Sequence, residues 1–259
     1  IWFRGDSTLL DPLPLWKRTL RKVTLNWVYQ FVDRAFYVGQ ANKRYFLWCG
    51  LEEDQLTYAP HAVDNEFFMA DDEQRNKQAL DIRNELGIDS KAMVFLFAGK
   101  LEPIKQPLEL AEAFESIQEQ AHLIYVGSGV LEAQLKQRFE SNPRIHFVGF
   151  QNQSKMPVWY RVGNVLCLPS LSETWGLAVN EALACGCRVI VSNRVGCAED
   201  FTRRSSDCFC FEWDSPQQLI KVMHHLILDG KALSSEVRKK LIQHFRFEVF
   251  CSALKTAMP

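Results

Sequence analysis

From residue 93 onward, apolar positions fall into short dense runs separated by longer stretches with helical spacing. The runs at 93–98, 122–126, 145–148, 165–168, 188–191 and 208–211 are rich in Val, Ile, Leu and Phe, with little polar alternation. Strands covered on both faces read this way. The stretches 107–118, 130–140, 155–162, 177–184 and 216–228 place apolar residues three and four apart, which predicts helices. Strand–helix alternation at this spacing implies βαβ units and a parallel sheet. Such sheets bind ligands outside the carboxyl ends of their strands, often on a helix N-terminus. The loops that follow the strands are therefore where chemistry is expected.

The first fifty residues read differently. Trp16, Leu20, Val23, Trp27 and Phe31 form a stripe of three- and four-residue steps, predicting a helix over 15–31. A strand at 35–38 and a helix at 40–48 follow, as at the tail of a second α/β domain. Residues 56–60 lead into a polar stretch, 64–77, which reads as a linker. The segments 233–244 and 247–257 are helical in pattern. There are no internal repeats or low-complexity segments. The chain opens on Ile1 without a signal-peptide pattern, so further residues are expected to precede it.

Composition narrows the class. With 259 residues, 47% hydrophobic and 24% charged, the chain is neither disordered nor fibrous. A net charge of −1 makes a nucleic-acid partner unexpected. No apolar run is long enough to span a membrane. The charge is uneven, however: residues 1–50 carry +5 and the remainder −6. The eight Cys are too sparse for a disulfide scaffold, and Cys185/Cys187 and Cys208/Cys210 lack zinc-site spacing. They read as free, mostly buried thiols in a reducing, cytoplasmic setting. The six His share no ligand spacing and there is no Asp-x-Asp, so neither a metal nor a cofactor is expected.

Three strand ends carry candidate chemistry. The first runs Gly99-Lys100 to Lys105. Gly lets the backbone approach a ligand closely, and two ammonium groups could neutralise a diphosphate. Taken alone, they are more simply two solvated lysines. The second strand ends in Gly127-Ser128-Gly129, whose N–H groups could face a phosphate. A lone G-x-G also makes tight turns, and the missing third Gly argues against an NAD-dependent dehydrogenase. After the fourth strand, Glu173 lies in the loop and Glu181 on the following helix, with Thr174-Trp175-Gly176-Leu177 between them. A carboxylate can accept two hydroxyl hydrogen bonds, which suits a sugar ring or a ribose. Each alone would be a capping carboxylate or an exposed helix Glu.

Together, these blocks and Ser192-Asn193-Arg194-Val195-Gly196 to Glu199-Asp200 make 99–200 resemble the donor-binding domain of the family 4, GT-B-fold retaining glycosyltransferases. The resemblance extends more weakly through Arg4-Gly5-Asp6-Ser7 and Pro60-His61-Ala62-Val63-Asp64. It implies a Rossmann-like parallel sheet flanked by helices, plus the remnant of a second α/β domain. Residues 1–62 would be the tail of the N-terminal, acceptor-side domain and hinge. Residues 63–245 would bind the nucleotide sugar, and 246–259 would form a C-terminal helix packing back on the N-terminal part.

The resemblance also implies roles. Lys100, where many members have Arg, and Lys105 would hold the donor diphosphate. Glu173 would bind the transferred sugar, and Glu181 the ribose. Gly176 and Leu177 would offer N–H groups to the phosphates, with Gly99, Gly127, Ser128, Gly129, Thr174 and Trp175 also donor-side. Phe150 would lie near the base. Gln106 stands where members usually carry Gly. The implied reaction moves a sugar from a UDP- or GDP-sugar to a glycan, lipid-linked or small-molecule acceptor, with retention and without a metal. The alternative is a fragment or degenerate homologue that binds the nucleotide sugar without turnover.

Two signals stay outside this reading. Arg4-Gly5-Asp6 spells an integrin tripeptide and Asn152-Gln153-Ser154 a glycosylation sequon; both read as coincidence. The 15–31 stripe is either a core face or, with Lys17, Arg18, Arg21 and Lys22 beside it, a peripheral membrane contact.

Overall fold

The computed structural model of the chain describes residues 1–70 and 73–258. Two members of the expected 64–77 linker, Asp71 and Asp72, lie outside the described residues. The first part of the chain contains β1 (Trp2–Arg4), α1 (Leu15–Tyr29), β2 (Arg34–Tyr37), α2 (Gln40–Trp48), β3 (Leu56–Tyr58), α3 (Asn65–Met69) and α4 (Glu73–Glu85). Regular alternation follows: β4 (Met93–Ala98), α5 (Pro107–Glu115), β5 (Ala121–Val126), α6 (Glu132–Phe139), β6 (Ile145–Phe147), α7 (Met156–Val162), β7 (Val165–Leu168), α8 (Leu177–Cys185), β8 (Arg188–Ser192), α9 (Ala198–Thr202), β9 (Cys208–Phe211) and α10 (Pro216–Asp229). The chain ends in α11 (Ser235–Ile242) and α12 (Phe247–Ala257).

The fold is α/β with two parallel sheets flanked by helices. The larger has six strands in the order β6-β5-β4-β7-β8-β9, all parallel. Both faces of β4 are covered. Val94, Leu96 and Ala98 enter one apolar layer with Ile124 and Leu166. Phe95 and Phe97 enter the other with Leu123, Tyr125 and Cys167. This two-sided burial is why the strand sequences show no polar alternation. The chain runs outward from β4 through β5 and β6, then returns to β7 on the other side of β4. That reversal opens a crevice at the carboxyl ends of β4 and β7.

The smaller sheet, β1-β2-β3, is also parallel. β1 and β3 escape sequence reading because each has only three residues, too few to show a period. The polar 64–77 stretch is not a plain linker. Its described parts form α3 and the start of α4, and α4 packs on α7. The inward side of α4 uses Ala79 and Ile82, with Leu86 just past its end, but also Arg83. Arg83 is buried with its guanidinium donating to the Val162 carbonyl at 2.7 and 2.9 Å and to Asn164 Oδ1 at 2.8 Å. A charged residue on the inner face conceals the stripe.

The stripe of α1 does not face a core in this structure. Trp16, Leu20, Val23 and Trp27 are 60–65% exposed, and α1 touches the rest of the small sheet's core mainly through Leu25 and Tyr29. The cysteines carry no disulfide, and six of the eight are buried.

A seam joins the two sheets. Asp200, on α9, is fully buried; its Oδ2 accepts the Gln40 N–H at the start of α2, 3.0 Å away. An added Cβ on neighbouring Gly39 would collide with the Trp175 ring and the Asp200 carboxylate. Arg44 pairs with Glu199 at 2.6 Å, and Arg4 lies 5.0 Å over the Phe250 ring of α12. Burial raises the Asp200 carboxyl to about 6, against the pull of the Gln40 N–H and Arg204.

A carboxyl whose pKa is raised by folding stabilises most when neutral. Its contribution is full below about pH 4 and is lost as pH rises through about 6. Asp200→Asn removes this dependence. Chemical denaturation at pH 4 and pH 7 should show the wild type losing about 2–3 kcal/mol relative to the variant. Parallel stability curves would contradict the assignment.

Candidate functional site

The loops after β4, β5 and β6 and the start of α8 surround a cavity of about 690 Å³. Its wall includes Gly99, Lys100, Gly127, Ser128, Gly129, Phe150, Ala178 and Glu181. The two glycines of the β5 loop have a backbone reason. An added Cβ on Gly127 would collide with the Gly99 carbonyl, and one on Gly129 with the Leu101 backbone. Leu101 N donates to the Ser128 carbonyl at 3.0 Å, and Leu131 N to the Leu101 carbonyl at 2.9 Å. The G-x-G therefore locks two loops together, backbone against backbone, at the crevice.

Gln106 follows the second lysine in the left-handed conformation, at φ +50°, the only non-glycine with positive φ among the described residues. Pro107 then opens α5 with its preset φ. That conformation suits Gly best, which accounts for the expected Gly there.

Gly176, φ +100°, caps the start of α8, whose Leu177 and Ala178 N–H groups have no partner within the helix. They and the helix dipole form a positive end facing the crevice. Glu181, one turn further on, accepts from the Tyr160 hydroxyl at 2.8 Å and from the Gln153 side-chain amide at 2.9 Å. Burial pushes its carboxyl above the ordinary Glu value, while those two donors pull it back. Each carboxylate oxygen is thus oriented by one donor from the cavity wall and keeps acceptor capacity.

Lys105 and Glu173 lie beside the cavity wall rather than in it, and they form an ion pair with each other. Lys100 stands separately, largely exposed, 3.9 Å from Glu102 Oε1. The two lysines are thus not one cluster. The Glu173 loop is held by segment 194–196: Gly196 N donates to the Glu173 carbonyl at 2.9 Å, and Glu173 pairs with Val195 as a parallel bridge. Leu177 is exposed at the helix start.

Trp175 and Thr174 do not face the cavity. The Trp175 ring is 2% exposed, packed near His61, Phe201 and Phe245, with Nε1 donating to Asn180 Oδ1 at 3.0 Å. The Thr174 hydroxyl donates to Asp6 Oδ2 at 3.0 Å. Asp11 Oδ2 accepts from Ser172 Oγ at 2.8 Å. Asp6, read in the sequence as part of a chance tripeptide, thus reaches across to the loop that carries Glu173.

Sequence reasoning did not single out Tyr160, Glu102 or Met156, which line the cavity; Asn152 and Gln153, which line it too, follow Phe150 in the stretch expected near the base. Tyr160 sits in an apolar helix where it looks like core. Among the described residues, no group of three or more His, Cys, Asp or Glu is placed to hold a metal ion.

With this geometry in view, residues 78–246 match the family model described as glycosyl transferases group 1. A D-inositol 3-phosphate glycosyltransferase of Catenulispora acidiphila is 33% identical over 129 residues, covering 44% of this chain and 30% of the relative. The Escherichia coli UDP-Gal:alpha-D-GlcNAc-diphosphoundecaprenol alpha-1,3-galactosyltransferase is 30% identical over 172 residues, covering 62% of this chain and 43% of the relative. The chain thus spans less than half the length of the curated relatives it matches. Among solved structures, Anabaena Alr3699/HepE in complex with UDP superposes with a TM-score of 0.78 at 18% identity, covering 98% of this chain and 71% of that one. The sucrose-phosphate synthase of Thermosynechococcus elongatus gives 0.75 at 20% identity, covering 98% and 65%. These likenesses establish the GT-B type of fold.

The hydrogen bond from Tyr160 supports a direct test. In Tyr160→Phe, the Glu181 carboxyl should titrate at a higher pH than in the wild type, because a donor to its charged form is gone. Carbon-13 NMR of Glu side chains reads this; an unchanged midpoint would mean that Tyr160 does not support the carboxylate.

Proposed function

The chain belongs to the group 1 glycosyl transferases, and on that premise we propose that it transfers a sugar from a nucleoside-diphosphate sugar to an acceptor hydroxyl, with retention and without a metal ion. The observation that carries this reading is the arrangement around the start of α8. A positive helix end follows the loop that carries the Glu173–Lys105 pair and precedes an oriented carboxylate, Glu181, which lines one cavity with Lys100.

On this reading the diphosphate rests against the N–H groups at Gly176 and Leu177 and takes charge from Lys100 and Lys105. Developing negative charge on the leaving diphosphate is met by groups already in place. Glu181, held by Tyr160 and Gln153, accepts the two ribose hydroxyls. The base lies in the part of the cavity lined by Phe150. Glu173 binds the hydroxyls of the transferred sugar. The leaving phosphate takes the proton of the attacking hydroxyl on the same face, which preserves configuration. UDP or GDP would be the nucleotide; the relatives' UDP-galactose and bound UDP favour UDP. Acceptors named for relatives include an inositol phosphate and a lipid-linked glycan, so a polar hydroxyl is the common chemistry.

Glu181→Ala should weaken UDP binding by about 10- to 100-fold, as loss of charged hydrogen bonds costs about 1.5–3 kcal/mol. Glu173→Ala should leave UDP affinity within a few-fold and lower turnover of the UDP-sugar instead. Calorimetric titration with UDP plus a donor-hydrolysis assay separates the two. Equal affinity losses would sink this division of roles, and retained binding with no hydrolysis of any UDP- or GDP-sugar would favour a binding protein without turnover.

Activity should also survive EDTA, because lysines and a helix end supply the positive field. Loss of hydrolysis in EDTA, restored by Mn²⁺ or Mg²⁺, would refute the metal-free step.

A further inference from the structure

We propose that the cavity between the α9–β9 loop and α11 is a second binding site, which takes a phosphate-bearing anion. The cavity measures about 480 Å³, within the range of small-ligand pockets. Its wall carries the bases Arg203, Arg204, Lys240 and His244 beside the apolar Val237 and Leu241. Because β8 and β9 run parallel, the loop that enters β9 lies at the amino ends of the strands, opposite the crevice. No lining residue is shared with the cavity that holds Glu181. Every one of them comes from the second part of the chain, between positions 203 and 244.

Charge identifies the ligand class. Two arginines, a lysine and a histidine share this cavity with a single carboxylate, Asp207. That carboxylate is already paired with Arg188, 3.1 Å away. Lys240 has no ion pair among the described residues. Arg203 holds Glu199 at 2.7 Å, but the arginine is largely exposed, and a helix-surface pair of this kind contributes little. Arg204 is the more fixed cation. It donates to the Asp200 carbonyl and lies 5.6 Å over the Phe245 ring, which orients the guanidinium and leaves donors free. Three cations on one cavity match a group with close to two charges and several acceptor oxygens, as a phosphate has, better than a lone carboxylate. The apolar Val237 and Leu241 leave room for a compact carrier of that phosphate.

Arg204 also connects this cavity to the seam. Its guanidinium lies 3.7 Å from Asp200 Oδ1, an oxygen with no hydrogen-bond partner. An anion at Arg204 draws the guanidinium outward and brings negative charge near Asp200; both effects disfavour the charged carboxylate. Tyr37, Arg44, Tyr58, Cys197 and Glu199 also face Asp200, and none of them lines this cavity. The inference does not depend on the reaction proposed above.

The test is calorimetric titration of the full 259-residue chain with inorganic phosphate and with glycerol 3-phosphate, against sodium chloride at equal ionic strength. Saturable binding of a phosphate compound, absent with chloride, is expected. Tighter binding of glycerol 3-phosphate assigns the site to a phosphomonoester, and tighter binding of phosphate assigns it to the free ion. Arg203→Ala with Lys240→Ala should weaken binding about tenfold or more, since two charged partners are lost. Lys100→Ala, which alters the other cavity, should leave it unchanged. Both substituted side chains of the double variant are exposed, and circular dichroism checks that each variant is folded. Carbon-13 NMR of Asp side chains gives a local reading with sulfate, an anion whose own charge is constant across the titration. Sulfate should raise the Asp200 midpoint in the wild type and not in the double variant. Absence of saturable binding up to about 10 mM overturns the proposal. So does equal affinity in the double variant, loss of binding in Lys100→Ala, or an Asp200 midpoint that sulfate does not move.

Discussion

A carboxylate in a buried seam sets the relation between the two sheets. Asp200 has no exposure; Arg204 lies 3.7 Å from one carboxylate oxygen, and the other accepts a backbone N–H that belongs to a helix 160 residues earlier in the chain. Removing that N–H would leave a buried charge with few partners, a costly state. The chain therefore keeps the α2 N-terminus against α9. The fit is close enough that position 39 has no room for a side chain beside Trp175. Because Trp175 sits two residues from Glu173, the seam also holds one end of the candidate site. Asp6 and Asp11 add hydrogen bonds from the first part of the chain to Thr174 and Ser172 in the same loop. The loop that carries Glu173 is thus braced from the second part by segment 194–196 and from the first by two aspartates.

Much of this could be read from residue order, and the reason is physical. A strand buried on both faces needs a dense apolar run, so all six strands of the large sheet were visible in outline. A loop at a strand's carboxyl end is short, so residue order alone places Gly99, Lys100, Gly127 and Gly129 at the crevice. The weak points have equally physical causes. Three-residue strands carry no period. Arg83 folds inward by meeting carbonyls, which a hydropathy pattern scores as outward. Trp175 belongs to a motif that suggests a ligand contact, yet its ring fills the seam. Tyr160 and Gln153 matter through hydrogen bonds to one carboxylate, a relation between distant residues that no local spacing displays.

The Glu181 environment shows how a helix and its neighbours divide labour. Burial alone would favour a neutral carboxyl there. The Tyr160 hydroxyl and the Gln153 amide oppose that, so the group keeps its acceptor character while its geometry is fixed. Residues from α7 and the turn before it thereby prepare a group on α8.

The ion pair between Lys105 and Glu173 has a consequence of a different kind. An ammonium that already holds a carboxylate is not free to greet an incoming anion; it must trade one partner for another. Association at that point is an exchange reaction, and its net gain is the difference between two pairings rather than the whole of either. A ligand that brings only negative charge competes with the resident carboxylate and gains little. A ligand that brings an anion for Lys105 together with hydroxyl donors for Glu173 satisfies both halves at once. If the proposed donor binds there, the pair would act as a coincidence detector, favouring molecules that carry both chemistries on one frame over simple anions at much higher concentration.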